Sequence, residues 1–281
     1  MALSLHFLGT GTSAGVPMIG CPCDVCQSDD PRDQRDRPGV LVAWDDPALT
    51  LDPKHITFNA AQKNRRQVLI DATPDLRHQA LRAKLSYLDA VFITHSHVDH
   101  VFGLDDLRRF NAVMDAPLEV YAEPNTHAEM ERMFQHIFQS HRNVNDSFVA
   151  RLNPMTLEPA KPIVLHGATF TPLRLMHGRL PIVGFRVDFN GTSLAYCTDV
   201  SHIPPETYPL LENLDVLVID ALRYRHHPTH LTIDQALEVI DQLKPKQSFF
   251  THIAHDVKHA DLAQHLPRGV APAYDGLCVT L

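Results

Sequence analysis

Four metal-capable side chains crowd into six residues of the stretch FITHSHVDH: His95, His97, Asp99 and His100. Imidazole nitrogens and carboxylate oxygens are the donors that hold zinc, manganese or iron. The apolar run 90–94 before them reads as a buried strand, so the cluster stands where a strand ends. His95 and His97 lie two residues apart, and an extended backbone puts them on one side. Asp99 and His100 follow a turn and reach a second point a few ångströms away. One short segment can thus offer two ligands to each of two adjacent cations. Two cations about 3.5–4 Å apart can acidify a shared water and clamp the oxygens of an ester, which directs hydroxide at phosphorus or at a carbonyl carbon.

Two cations need more donors than these. His177, Asp199 and His252 each close an apolar run (LRLMH, LAYCTD, SFFTH) and each precede a break. A histidine at a strand end is by itself commonly structural, but three such residues in this order form a set. Asp71 also ends an apolar run, VLID. It is read either as an acceptor behind a ligand histidine or as the N-cap of the helix that follows.

The elements that must position these groups follow from periodicity. Strands are expected at 3–9, 40–44, 67–72, 90–94 and 117–123, and in the second half at 163–166, 169–175, 183–189, 193–197, 215–220 and 247–252. Helices are expected at 75–84, 103–113, 124–139 and 232–244, the last with Thr232 as N-cap. Residues 45–66 read as a polar surface excursion. The run DVLVID has almost no polar interruption, so both faces of that strand should be covered. Strands and helices mix in both halves, which predicts an α/β fold of two sheets between outer helix layers, and we expect one domain over 1–281.

The succession THSHVDH, HG, YCTD and TH, with FLGTGTSAGVP at the start, resembles the metallo-β-lactamase superfamily of dinuclear hydrolases. The resemblance implies an αββα sandwich with the site at one rim. It assigns His95, His97 and His177 to one metal and Asp99, His100 and His252 to the other, with Asp199 bridging. The two catalytic metals would be zinc or manganese, and Asp99 is counted with the catalytic residues.

A second constellation is GCPCDVC, with Cys21, Cys23 and Cys26. Three thiols so close suggest thiolates on a metal, and a structural zinc wants four ligands. Cys197 and Cys278 read as small buried thiols; either could complete the set, but His255 in THIAHD is the better candidate. A GCxCxxC with a late HxxHD resembles the branch that holds the phosphoribosyl 1,2-cyclic phosphate phosphodiesterase of the carbon–phosphorus lyase pathway. That resemblance implies one structural zinc on Cys21, Cys23, Cys26 and His255. The same cysteine cluster occurs in the protein B family of pyrroloquinoline quinone biosynthesis, but there the HxHxDH motif is degraded, and here it is intact.

His230, in HHPTHLTIDQAL, precedes the helix at 232–244. This H-x-T arrangement resembles the phosphodiesterase side of the superfamily, including transfer-RNA 3′-processing enzymes, and implies a histidine that contacts phosphate and protonates the leaving oxygen. Its alternative is a capping or surface histidine. His226 and His227 read as a loop lining the pocket. Arg108, Arg109 and Arg179 are candidates for a terminal phosphate, with solvated surface positions as the alternative.

Composition narrows the partners. The chain of 281 residues has 33 acidic and 25 basic side chains and a net charge of −8. That balance disfavours a long polyanion, which needs a basic face. The start MALSLHFLG lacks a basic segment, and no apolar run approaches a membrane span. The expectation is a cytoplasmic metal-dependent phosphoric diester hydrolase acting on a small cyclic or diester phosphate, without nucleic-acid or membrane partners, and with a homodimer as the expected assembly. Transfer-RNA processing, thioester or lactone hydrolysis, and zinc-stabilised binding without catalysis are the alternatives.

Overall fold

Among the described residues fourteen short segments form strands, most of them rich in the β-branched and aromatic side chains that suit a half-buried pleated surface. The computed structural model describes residues 2–50, 64–144 and 147–281, so the excursion expected at 45–66 lies largely outside the described residues. The chain forms two compact units.

Unit 1 comprises residues 1–8, 39–157 and 278–280. Its strands are β1 (Leu3–Gly9), β2 (Gly39–Asp45), β3 (Arg65–Ile70), β4 (Ala90–Phe92), β5 (Leu118–Ala122), β6 (Leu152–Thr156) and β14 (Cys278–Thr280), in the order β14-β1-β2-β3-β4-β5-β6. Pairing is antiparallel at β14–β1 and β2–β3 and parallel from β3 to β6. Its helices are α1 (Leu76–Arg82), α2 (Val98–Val101), α3 (Arg108–Met114), α4 (Pro124–Met133) and α5 (Gln135–Phe138). Leu69, Val91, Leu104, Leu107 and Met130 pack in its core.

Unit 2 comprises residues 9–38, 158–277 and 281. Its strands are β7 (Ile163–Leu165), β8 (Ala168–His177), β9 (Leu180–Phe189), β10 (Thr192–Cys197), β11 (Val216–Asp220), β12 (Gln247–Thr251) and β13 (Val270–Pro272), in the order β13-β12-β11-β10-β9-β8-β7. Pairing is antiparallel from β7 to β10 and parallel from β10 to β13. Its helices are α6 (Ile233–Leu243) and α7 (His259–His265). All five residues of β11 are buried, as its continuous apolar run requires. Thr232 caps α6 in a reciprocal box: its hydroxyl accepts from Gln235 N, and its own N–H donates to Gln235 Oε1.

The departures from expectation are local. The helix expected at 124–139 breaks at Phe134 (φ −117°, ψ 47°), whose buried ring packs edge-on against Phe102 at 5.4 Å. Tertiary packing overrides propensity there. The edge strand β6 is mostly exposed and contains Pro154, so it lacks a burial pattern to read. Cys278 is exposed, not buried, because β14 alternates and turns Val279 inward instead. No helix among the described residues is long and apolar enough to cross a membrane.

Candidate metal centres

Each sheet delivers most of its chemistry at the carboxyl ends of its parallel strands, where open α/β sheets place ligands, and His177 ends the antiparallel strand β8. In unit 1, β3 leads into Asp71, and β4 leads into Thr94 and His95. In unit 2, β10 and β12 lead into Asp199 and His252, and β11 ends on Asp220. Asp71, Asp199 and His252 all take left-handed backbone angles (φ 67°, 56° and 57°). Non-glycine residues accept that conformation only where their surroundings hold them, and such positions concentrate at functional sites.

The unit 1 group is built around Asp71, which is fully buried. Its carboxylate accepts from the Thr94 amide (2.9 Å) and hydroxyl (3.0 Å) and from His100 Nδ1 (2.7 Å). It is therefore an acceptor behind His100 and not a helix cap; the residue preceding α1 is Asp75. Burial pushes the Asp71 carboxyl up, and His100 opposes that rise. With Nδ1 engaged, His100 presents Nε2 on its outer side, 3.4 Å from Asp99 Oδ2. His97 stands at the N-terminus of α2, which carries Asp99 and His100 on one turn. The His95 ring lies 4.5 Å from that of His97 and 4.2 Å from that of His100. The turn is pinned from behind. Ala72 N donates to His100 O, and Gly103 N to Ala72 O, both at 2.8 Å. Gly103 admits this approach because any Cβ there would collide with Thr73 O.

The unit 2 group collects four residues. One ligand atom each from His177, Asp199 and His230 lies within 4.8 Å of the others. His252 Nδ1 is 3.2 Å from Asp199 Oδ2, which also accepts from the Thr198 hydroxyl at 2.7 Å. His177 Nδ1 donates to Thr229 O (2.8 Å), which leaves Nε2 as its metal-capable nitrogen. The His230 ring stacks 4.6 Å from His252 and meets His177 edge-on at 4.7 Å. Its Nδ1 lies 2.6 Å from Oδ2 of buried Asp220, so His230 is neither a cap nor a surface group. Asp220 escaped the sequence reading. It sits inside a continuous apolar run, and only the C-terminal strand position marks it. Burial drives its carboxyl well upward, against the pull of His252.

Beside His230 opens a cavity of about 430 Å³, bordered by Arg179, Ser201, His226 and His227 and by no carboxylate among the described residues. Arg108 pairs with Asp105 at 3.2 Å, and Arg109 is exposed on α3. Of Arg108, Arg109 and Arg179, only Arg179 borders this cavity.

The thiolate group also lies within unit 2. Ligand atoms of Cys21, Cys23, Cys26 and His255 are all within 4.8 Å of one another. His255 Nδ1 is 3.3 Å from Cys21 Sγ and 3.4 Å from Cys23 Sγ. A tetrahedral zinc with bonds of about 2.3 Å spaces its sulfurs by roughly 3.8 Å, so the cluster is of the right size. The Cys26 amide and His255 draw the Cys23 thiol down to about 6, while burial pushes Cys26 up to about 11. Donor type and closeness thus fit zinc here, and the imidazole and carboxylate donors of the other two groups fit harder divalent cations.

The Beta-lactamase superfamily domain matches residues 66–253. An octanoyltransferase of Porphyromonas gingivalis is 36% identical over 272 residues, 96% of this chain and 50% of that protein. Coenzyme PQQ synthesis protein B of Rhodopseudomonas palustris is 31% identical over 167 residues, 59% of this chain and 48% of that protein. The chain spans about half the length of these curated relatives. Among solved structures, a diphosphatase from the PhnP family superposes with a TM-score of 0.84 at 38% identity, covering 100% of this chain and 98% of that one. The chain belongs to the β-lactamase superfamily and has the α/β metallo-β-lactamase fold, two mixed sheets with flanking helices, and the PhnP-family diphosphatase is similar to it over its full length.

Proposed function

We propose that residues 1–281 act as one hydrolase domain, a phosphodiesterase for small phosphate esters, with a cyclic sugar phosphate as the first substrate class. The ligand set is the one the family resemblance implies: His95, His97 and His177 for one divalent metal, Asp99, His100 and His252 for the other, and Asp199 between them. Zinc or manganese would fill this pair, and one structural zinc the Cys21, Cys23, Cys26 and His255 site. When bound, the pair supplies Lewis-acid stabilisation of phosphoryl oxygens and lowers the pKa of water.

The observation that carries the phosphate reading is the Asp220–His230 pair at the edge of a cavity bordered by Arg179, His226 and His227. The surroundings suit an anion, and the histidine suits a poor leaving group. Asp220 holds the imidazole by Nδ1 and stabilises its protonated form, so Nε2 is the atom that delivers the proton. As the bond from phosphorus to the leaving oxygen breaks, His230 transfers this proton to that oxygen and becomes neutral. A thioester releases a thiolate that needs no such donor.

The likeness to a PhnP-family diphosphatase adds phosphoric anhydrides to the substrates worth assaying. The net charge of −8 argues against transfer RNA, and the crowded thiols suit the reducing cytoplasm. A homodimer remains the proposed assembly. The test is turnover by metal-loaded protein of a cyclic ribose phosphate, a sugar diphosphate and an acyl thioester side by side. The reading expects hydrolysis of one or both phosphates and none of the thioester; the reverse order of rates overturns it.

A further inference from the structure

The segment 252–259 carries His252 at one end, lies against the cysteine cluster through His255 in its middle, and has almost no regular structure between β12 and α7. Nothing periodic fixes it, yet His252 must keep its ring near Asp199. Two amides of the segment are held by neighbouring carbonyls: Ile253 N donates to Thr10 O, and Ala254 N to Leu222 O, both at 2.9 Å. Two of its carbonyls are held by a single side chain, that of Arg35.

Arg35 is a buried guanidinium, and its side chain and that of its partner Asp33 are both 0% exposed. Nη1 donates to Ala254 O, and Nη2 donates to Val257 O and to Asp33 Oδ1, all at 2.8 Å. Asp33 Oδ1 also accepts from His259 N at 2.8 Å, at the start of α7. The backbone of Arg35 is fixed in turn. It exchanges hydrogen bonds with Val16 in both directions at 2.8 Å, and it passes so close to Gly11 that a Cβ there would lie 2.7 Å from Arg35 O. Burying an ion pair is expensive and is seldom the best route to stability. A hydrophobic pair of similar volume would fill this space, but it could not bind two carbonyls of an irregular loop.

Resting on the dinuclear hydrolase reading above, we infer that Arg35 is a positioning residue for the metal ligand His252. Its planar fork holds the carbonyls two and five residues beyond His252, anchored by Asp33 and by the strand-like contact with Val16. Lysine keeps the charge but is a point donor and cannot span both carbonyls and the carboxylate at once.

The experiment is cobalt titration of Arg35→Lys against a competing chelator. Cobalt on thiolates gives a charge-transfer band, whereas cobalt on imidazoles and carboxylates does not, so the two kinds of site are read separately. Loss of a supporting partner typically costs 10–100-fold in metal affinity. The expected result is a loss of about that size at the histidine and aspartate site, with the thiolate band unchanged. In a His252→Ala background the same substitution should cost less than about 2-fold, because its effect passes through the missing ligand. Wild-type affinity in Arg35→Lys, an equal loss in the His252→Ala background, or loss of the thiolate band in parallel would each overturn the inference. If Arg35→Lys does not fold, Asp33→Asn, which keeps the shape of the anchor but not its charge, is read by the same titrations. The affinity readout needs no substrate, so its failure is distinct from a failure of the phosphodiesterase reading.

Discussion

Unit 1 draws His95, His97, Asp99 and His100 from six consecutive residues, whereas unit 2 draws His177, Asp199 and His252 from separate strand ends and His230 from the loop between β11 and α6. The first group is fixed largely by one buried carboxylate, Asp71, and by a turn pinned to the β3–α1 connection. Each member of the second group has its own support: Thr229 O for His177, Thr198 for Asp199, Asp220 for His230, and the segment held by Arg35 for His252. A compact motif concentrates its dependence on one supporting residue. A dispersed group spreads that dependence over a sheet.

The comparison is broken most severely by removing a ligand from the compact group. His97→Ala should reduce phosphodiester hydrolysis to background and release catalytic metal while the cysteine-bound zinc stays. Elemental analysis that found equal loss from both places would contradict separate sites. Removing the shared support should come next. Asp71→Asn keeps the shape but not the charge behind His100, and metal affinity and kcat should fall by about 10–100-fold. An effect confined to unit 2's Asp220→Asn, with Asp71→Asn neutral, would invert the comparison. The smallest catalytic effect belongs to the thiolate site. Cys23→Ser should expel its zinc and lower the melting temperature, by roughly 2–4 °C for each kcal/mol lost in a chain of this size. Activity at 25 °C should change only through the 252–259 segment. A variant that melts like the parent with full zinc content would remove the structural role.

The same contrast explains what the sequence made legible. HxHxDH is readable because its donors are adjacent, and GCxCxxC for the same reason. His177, Asp199 and His252 became a set only through their order along the chain and their common place after apolar runs. Asp220 had that place too, but an aspartate ending DVLVID carries no second donor nearby to mark it, and its role depends on β11 lying beside the loop that bears His230. The Arg35–Asp33 pair was illegible altogether. Its partners are main-chain carbonyls more than two hundred residues away, and carbonyls have no sequence signature. Among the elements, buried parallel strands were read nearly to their ends, while the edge strand β6 and the short helix α2 lacked the periodicity to be seen.

The central claim is that the Asp220–His230 pair delivers a proton to the leaving oxygen of a phosphate ester. Its nearness to His177 and Asp199 also gives His230 the geometry of a ligand, so one variant must separate the roles. His230→Ala is to be assayed on a cyclic ribose phosphate and on a nitrophenyl phosphodiester, with metal content measured on the same sample. The account predicts two retained catalytic metals, a turnover loss of about 10²–10⁴-fold on the sugar phosphate, and little loss on the nitrophenyl ester, whose leaving group needs no proton. Equal losses on the two substrates, or loss of metal with loss of activity, would contradict it.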